Sequence, residues 1–279
     1  KYQTAGKIAN ECLAKVIAAC VPGTKVPVVS SRWRRFWMRS GNWPPPPAKR
    51  FIPPCNPPVF RPRLSSVNIL VTAGSTREPL DPVRYLTNRS SGKMGYALAN
   101  AGAQLGHRVT LISGPTSLDI PINVDYVPVE TAQEMFEATS IHIARADAAI
   151  FSAAVADYRP ATFVENKIRK SEDHLTIELV RNADILGSAR AEFRYEGVLV
   201  GFAAETENLE EHAREKLHRK GCDLVVANDV SRSGIGFDSD HNEVLLIYPD
   251  RTEPLPVETK EHLAHLIVQA VQELRIRKG

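Results

Sequence analysis

Three stretches of this 279-residue chain gather small residues, amides, cations and carboxylates at spacings that suit a polyphosphate ligand. The first, residues 72–95, reads TAGSTREPLDPVRYLTNRSSGKMG. Ala73, Gly74 and Ser75 would let a ligand approach the backbone. From Ser90 to Gly95 the chain opens a helix, whose free amides make an anion site. It is neither of two common phosphate loops. A P-loop would need Gly at Thr87 and Ser or Thr at Met94, and G-x-G-x-x-G is absent. The pattern reads as a phosphate loop, against the plainer reading of a long turn capping a helix. The second stretch is AAVADYRP at 153–160, followed by Lys167, Ile168, Arg169 and Lys170. Asp157, just past an apolar run, is placed to hold Mg²⁺, which favours few protein ligands plus phosphate oxygens. Lys167, Arg169 and Lys170 could neutralise phosphates; the plainer reading is a turn cap and a solvated cationic face. The third stretch, GFAAETEN at 201–208, precedes a helix on which Lys216 and Lys220, four apart, share a face. That helix also offers Glu210 with Arg214 and Glu215 with Arg219, so on spacing alone it reads as a salt-laced surface helix.

Alternating strands and helices must position these loops. Apolar, β-branched runs predict strands at 67–72, 108–113, 124–129, 148–152, 198–202, 223–227 and 244–248. Residues 175–180 alternate apolar and polar, which predicts a half-exposed strand. Helical spacing covers 92–106, 132–145, 184–193, 209–220 and 258–275. Thr206 or Asn208 can cap the fourth of these helices, and Gly221 ends it. The order predicts an α/β fold: a Rossmann-like, doubly wound, mainly parallel sheet with helices on both faces. In such sheets ligands sit beyond the carboxyl ends of the strands.

Charge divides the chain in two. Residues 1–66 hold 12 Lys+Arg and one acid (Glu11), whereas residues 67–279 hold 23 bases and 31 acids. The whole-chain net charge of +3 therefore describes neither part. The first segment also holds all three Trp and 11 of the 20 Pro. It is read as a basic, Pro-rich N-terminal extension, expected to be poorly ordered, ahead of a domain at 67–279. Arg32–Arg39 interleaves Trp33, Phe36 and Trp37 with cations, which could grip single-stranded nucleic acid. No RNA-binding motif accompanies it, so nucleic acid is not the expected partner. No run approaches 18 uninterrupted apolar residues, so no membrane span is expected. The four cysteines show no C-x-x-C spacing, and free thiols in a reducing, cytoplasmic setting are expected.

The motifs TAGST, EPLDPVRYLTNRSSGKMG, SAAVADYRP, KIRK, NADIL, VGFAAET, DLVVANDV and GFDSDHNEV follow one another between about Val67 and about Leu274. In that order they closely resemble the phosphopantothenate–cysteine ligase domain of bacterial coenzyme A biosynthesis. The resemblance implies CTP-dependent amide synthesis through an acyl-cytidylate, with magnesium, in a homodimer. It implies a nucleotide site at Gly74, Ser152, Ala153, Asp157, Lys167, Ala183, Asp184, Ile185, Leu186, Phe202, Lys216 and Lys220. Asp157 would lie near the metal, and Lys216 and Lys220 would hold phosphates. Asn88 would contact the acyl-cytidylate, donating to a developing oxyanion, while Lys167 and Lys170 would lie in a flap over substrate. Two positions depart from the family pattern: Ser75 replaces a Gly, and Ala183 replaces the Pro of NPDIL, which puts loop rigidity in question. Residues 1–66 share nothing with the flavin-dependent decarboxylase that often precedes this domain, so neither FMN nor decarboxylation is expected. The competing readings are an NAD(P)-binding Rossmann-like oxidoreductase, opposed by the missing G-x-G-x-x-G, and a nucleic-acid-binding protein acting through the basic arm.

Overall fold

The computed structural model describes residues 66–169, 174–229 and 239–278. Contacts divide the chain into residues 1–62 and 63–279, and every described residue belongs to the second unit. The extension read at 1–66, apart from Ser66, lies outside the described residues, as does Lys170.

The centre of the domain is an eight-stranded sheet. β1 (Asn68–Ala73) lies between β4 (Arg108–Ser113) and β6 (Ala148–Phe151). Beyond β4 comes β5 (Val124–Pro128); beyond β6 come β9 (Val198–Glu205) and β10 (Leu224–Asp229), all parallel. β11 (His241–Ile247) and β12 (Thr252–Thr259) extend that side antiparallel. From β1 the chain winds outward to β4 and β5, then returns to β6 and winds the other way. The winding therefore reverses between β1 and β6, where such sheets open a crevice at their carboxyl edge.

The pleat explains the two layers of helices. Ile69, Val71 and Ala73 point to one face, against α1 (Lys93–Gln104) and α5 (Lys260–Lys278). Leu70 points to the other, with α2 (Ala132–His142), α3 (Ile185–Ala191) and α4 (Leu209–Lys220). Five of the six residues of β1 are buried, as expected of a parallel strand covered on both faces. Thr131 and Glu134 form a capping box at the start of α2.

Several expectations are corrected. Residues 175–180 do not form a strand of the sheet. Only β8 (Leu179–Arg181) is extended, and it pairs with β7 (Tyr158–Pro160) in a separate two-stranded ribbon. A hairpin of β2 (Arg77–Pro79) and β3 (Tyr85–Thr87) lies inside the first long loop. β12 occupies residues expected to be loop and the start of a helix; Pro254 and Pro256 are tolerated because it is an edge strand. Asn208 stands at the N-cap of α4 with φ 48° and makes no side-chain cap bond, whereas Gly221 ends that helix at φ 62°. Among the described residues no helix is long and apolar enough to cross a membrane.

Candidate active site

The loop joining β1 to α1 is long, and its own polar side chains hold it together. The Ser75 hydroxyl lies 3.1 Å from the Asn88 carbonyl and 3.0 Å from that of Ser90, either of which it can donate to. Thr87 donates to the Thr76 carbonyl at 2.7 Å, and the Thr76 hydroxyl accepts from the Ala156 amide at 3.0 Å. The buried Glu78 carboxylate accepts from the Ala132 amide at the start of α2, 2.9 Å away. Asp81, also buried, accepts from the Val83 and Arg84 amides and from the Arg84 guanidinium, which holds its carboxyl well below the usual carboxylate range. Ser75 therefore ties the loop at one or the other of two carbonyls, and the departure from glycine adds a constraint at this position.

Glycine matters most where α1 meets the sheet. A Cβ on Gly95 would lie 2.4 Å from the Ala73 Cβ and 2.7 Å from the Ser152 Oγ, so only glycine lets the helix start this close to β1 and β6. The second loop is clamped in turn: the Asn182 side chain donates to the Ala156 carbonyl at 2.8 Å, and its amide donates to the Asp157 carbonyl at 2.8 Å.

Two clefts adjoin at this edge. The first, of about 410 Å³, is lined by residues 88–95 of the loop, by Ser152, and by Asn228, Asn242 and Lys260. The second, of about 540 Å³, is lined by Arg181 to Leu186, Arg219 and Lys220. Ala153, Val155, Asp157, Phe202 and Lys216 line both. The fold thus brings together Asn88, Ser152, Ala153, Asp157, Ala183, Asp184, Ile185, Leu186, Phe202, Lys216 and Lys220. Two expected residues are not among the lining. Gly74, at φ 73°, is required by packing, since a Cβ there would lie 2.8 Å from the Gly114 carbonyl oxygen. Lys167 is exposed and lines neither cleft; its neighbour Ile168 is held by Asp81 at 3.1 Å and by Arg84 at 2.9 Å.

The cations are already engaged. Lys216 donates to the Phe202 carbonyl at 2.6 Å, and burial draws its pKa below the ordinary lysine range. Lys220 is ion-paired with Asp184, whose other oxygen accepts from the Gly187 amide at 2.9 Å, so a phosphate would have to compete for it. Asn88 donates to the Ala154 and Val155 carbonyls, each 3.2 Å away. Its N–H groups are thus committed to the second loop, and the expected donation to an oxyanion would require one of these bonds to break. Cys222 is buried and its thiol is pushed up to about 11, which marks it as a packing residue.

Among the described residues no three His, Cys, Asp or Glu side chains converge as a metal cage. Of the described carboxylates Asp157 alone lines both clefts, a donor set that fits Mg²⁺ bound largely by phosphate oxygens. Sequence reasoning missed Asn228, Asn242 and Lys260 as cleft residues. The first two lie in the quoted motifs DLVVANDV and GFDSDHNEV, which were a usable signal.

Comparison with known proteins bears on what these clefts serve. Residues 64–274 match the family described as the DNA/pantothenate metabolism flavoprotein C-terminal domain. The chain is 49% identical over 218 residues to the coenzyme A biosynthesis bifunctional protein CoaBC of Vibrio vulnificus (strain YJ016), covering 77% of this chain and 54% of the relative. It is 45% identical over 218 residues to the Bacillus subtilis (strain 168) protein of the same name, covering 77% and 53%. The chain thus spans about half the length of these relatives. A crystal structure of the CoaBC C-terminal domain superposes with TM-score 0.65 at 41% identity, covering 76% of this chain and 97% of that one. A Cab2 mutant in complex with phosphopantothenate-cysteine shares the fold, with TM-score 0.63 at 16% identity over 76% of this chain and 87% of the other.

Proposed function

The chain belongs to the DNA/pantothenate metabolism flavoprotein C-terminal domain family, and from that premise we propose that residues 67–279 form a CTP-dependent ligase joining 4′-phosphopantothenate to L-cysteine in coenzyme A biosynthesis. The observation that carries the reading is the pair of clefts meeting at Asp157, Phe202 and Lys216, which allows two large substrates to react at one point.

In this reading the second cleft takes CTP and the first takes phosphopantothenate. The pantothenate carboxylate attacks the α-phosphorus, pyrophosphate leaves, and an acyl-cytidylate remains. The cysteine amine then attacks the acyl carbon, loses a proton, and CMP departs. A carboxylate resists amine attack until its oxygen becomes part of a good leaving group, which is what the nucleotide supplies. Lys216, at the shared wall, offsets charge between the two reacting groups, and Lys220 exchanges Asp184 for phosphate. With its N–H groups held by Ala154 and Val155, Asn88 has its Oδ1 left to accept from the incoming amine and orient it. Asp157 would hold Mg²⁺ accompanying the triphosphate, where the ion offsets phosphate charge. The ligase works in the cytoplasm as a homodimer, with Lys167 in a flap that closes over the site. It uses no FMN; decarboxylation belongs to another domain.

The test is pyrophosphate release with CTP, phosphopantothenate and cysteine supplied together or singly omitted. Release should require CTP and phosphopantothenate, and amide should form only with cysteine. A folded protein that releases no pyrophosphate on adding phosphopantothenate overturns the assignment.

A further inference from the structure

The cysteine nitrogen of the proposed reaction goes from an ammonium to an amide, so it sheds two protons and needs a base at the site. The lysines and amides of the clefts do not supply one: an ammonium has no lone pair, and a primary amide is too weak an acceptor to hold a proton. Asp157, in this reading, faces the metal. We infer that Glu205, at the carboxyl end of β9, is the general base of amide formation, and that His212 on α4 carries the proton from it to solvent. The assignment rests on the ligase reading and names the residue that makes cysteine a nucleophile.

One strand and one helix bring the pair together. Pleating sets Leu199, Ala203 and Glu205 of β9 on the side of the sheet that α4 covers, whereas Val200 and Phe202 go to the other side. Glu205 is the last residue of the strand, so it reaches the carboxyl edge and lines the first cleft. From α4 the His212 Nδ1 comes within 3.4 Å of the Glu205 Oε2. His212 and Lys216, four apart, share one face of that helix, so the pair lies one turn from the lysine where the two clefts meet. Lys216 senses the carboxylate: burial draws its pKa down, and nearby acidic groups, Glu205 among them, oppose that. The Glu205 side chain is 32% exposed and that of His212 39%, so the carboxylate is open to the cleft and the imidazole reaches water.

Among the described residues Asp157 and Glu205 are the two carboxylates that line the first cleft, and no His or Cys lines it. Asp157 also lines the second cleft, on the nucleotide's side, and Glu205 does not. The charged groups around Glu205 are His212 and Lys216 from α4, Asp229 as its register partner on β10, and Arg89, Lys93 and Lys260 across the cleft. Glu205 accepts one proton from the cysteine ammonium while the Asn88 Oδ1 holds a second N–H, and the freed lone pair attacks the acyl carbon. The C–N bond forms, the bond from that carbon to the phosphate oxygen breaks, and CMP leaves with the electron pair. Glu205 passes the first proton through His212 to water, then takes the second from the nitrogen as the amide forms.

The decisive variant is Glu205→Gln in the full chain, which keeps the shape and removes the base. With CTP and phosphopantothenate, its first burst of pyrophosphate should stay within about twofold of wild type. Amide formation with cysteine should fall by about 100-fold or more, and the loss should shrink as rising pH supplies the free amine. Hydroxylamine is uncharged at neutral pH and needs no proton removed before it attacks. In place of cysteine it should give hydroxamate within about threefold of the wild-type rate. A folded Glu205→Gln protein that forms amide at the wild-type rate, or that loses hydroxamate in step with amide, overturns the assignment while leaving the ligase reading intact. Should a thermal melt show that variant unfolded, His212→Gln decides: it should slow amide formation and spare the burst and the hydroxamate, and unchanged amide formation overturns the assignment. A wild-type protein with no phosphopantothenate-dependent pyrophosphate release overturns the ligase reading and the base with it.

Discussion

Asp223 and Asn228 stand five residues apart at opposite ends of one strand, and the protein treats them differently. At the amino edge of the sheet Asp223 accepts from Arg190 at 2.9 Å, from Lys278 at 2.8 Å and from the Leu199 amide at 2.8 Å. Nearby, Asp147 accepts from the Asn68 amide at 2.8 Å and meets Arg275 at 3.5 Å. Every one of these carboxylates is answered from within the chain, and α5 is fastened by them. At the carboxyl edge the Asn228 side chain lines a cleft, and Lys216 and Lys220 hold contacts that a phosphate could replace. Polar groups enclosed by their partners at the amino edge serve the fold; those lining a cleft are the ones a ligand can reach.

Substitutions at the two edges should therefore separate turnover from stability. The largest effect is expected for Asn88→Ala. Amide formation should fall by about 100-fold or more while a first burst of pyrophosphate persists, measured by rapid quench. Its urea midpoint should move little, and a variant that loses stability but keeps its turnover would erase the distinction. Next comes Asp223→Ala, which leaves Arg190 and Lys278 without their carboxylate. The domain should lose roughly 2 kcal/mol, discounted because the group is partly exposed, with turnover per folded molecule unchanged. Urea unfolding followed by circular dichroism checks it.

The smallest effect is a pH dependence at the amino edge. His107 accepts from the Val67 amide on Nδ1 at 3.4 Å and meets Gln272 at Nε2, and burial holds its pKa below the ordinary 6.5. Below that value the unfolded chain takes up a proton that the folded protein resists. Stability present above about pH 6.5 should then decline as the pH falls toward the folded value. His107→Gln should flatten that part of the urea-midpoint curve; an unchanged slope would remove His107 from the account.

The sequence revealed the parts of the fold that depend on apolar periodicity. β1, β4, β6 and β10 are short runs buried on both faces, and such runs stand out against polar loops. β12 was hidden because Pro254 and Pro256 argue against a strand anywhere but at an edge, and edge position is a property of the whole sheet. The hairpin of β2 and β3 was hidden because its three-residue strands carry no alternation long enough to detect. In the site, Asp157 and Lys216 were legible as polar residues following buried strands or sharing a helix face. Asn228 was signalled only by the motif DLVVANDV that holds it, and Lys260 by nothing. An Asn after an apolar run reads as a turn former and a Lys at a helix start as solvated, and only the packing of β11 and α5 beside them takes both out of water. Gly74 and Lys167 lie outside the cleft lining: Gly114 packs against the first, and the second is exposed beside the anchored Ile168.

The hydrogen bonds of Ser75, Thr87, Glu78 and Asp81 divide the long loop between β1 and α1 into short closed segments. Loop-closure entropy grows with the length of free chain between fixed points, so this loop loses its freedom when the domain folds. A ligand entering the first cleft meets a wall that is already in place, and little of its binding free energy goes into ordering that wall.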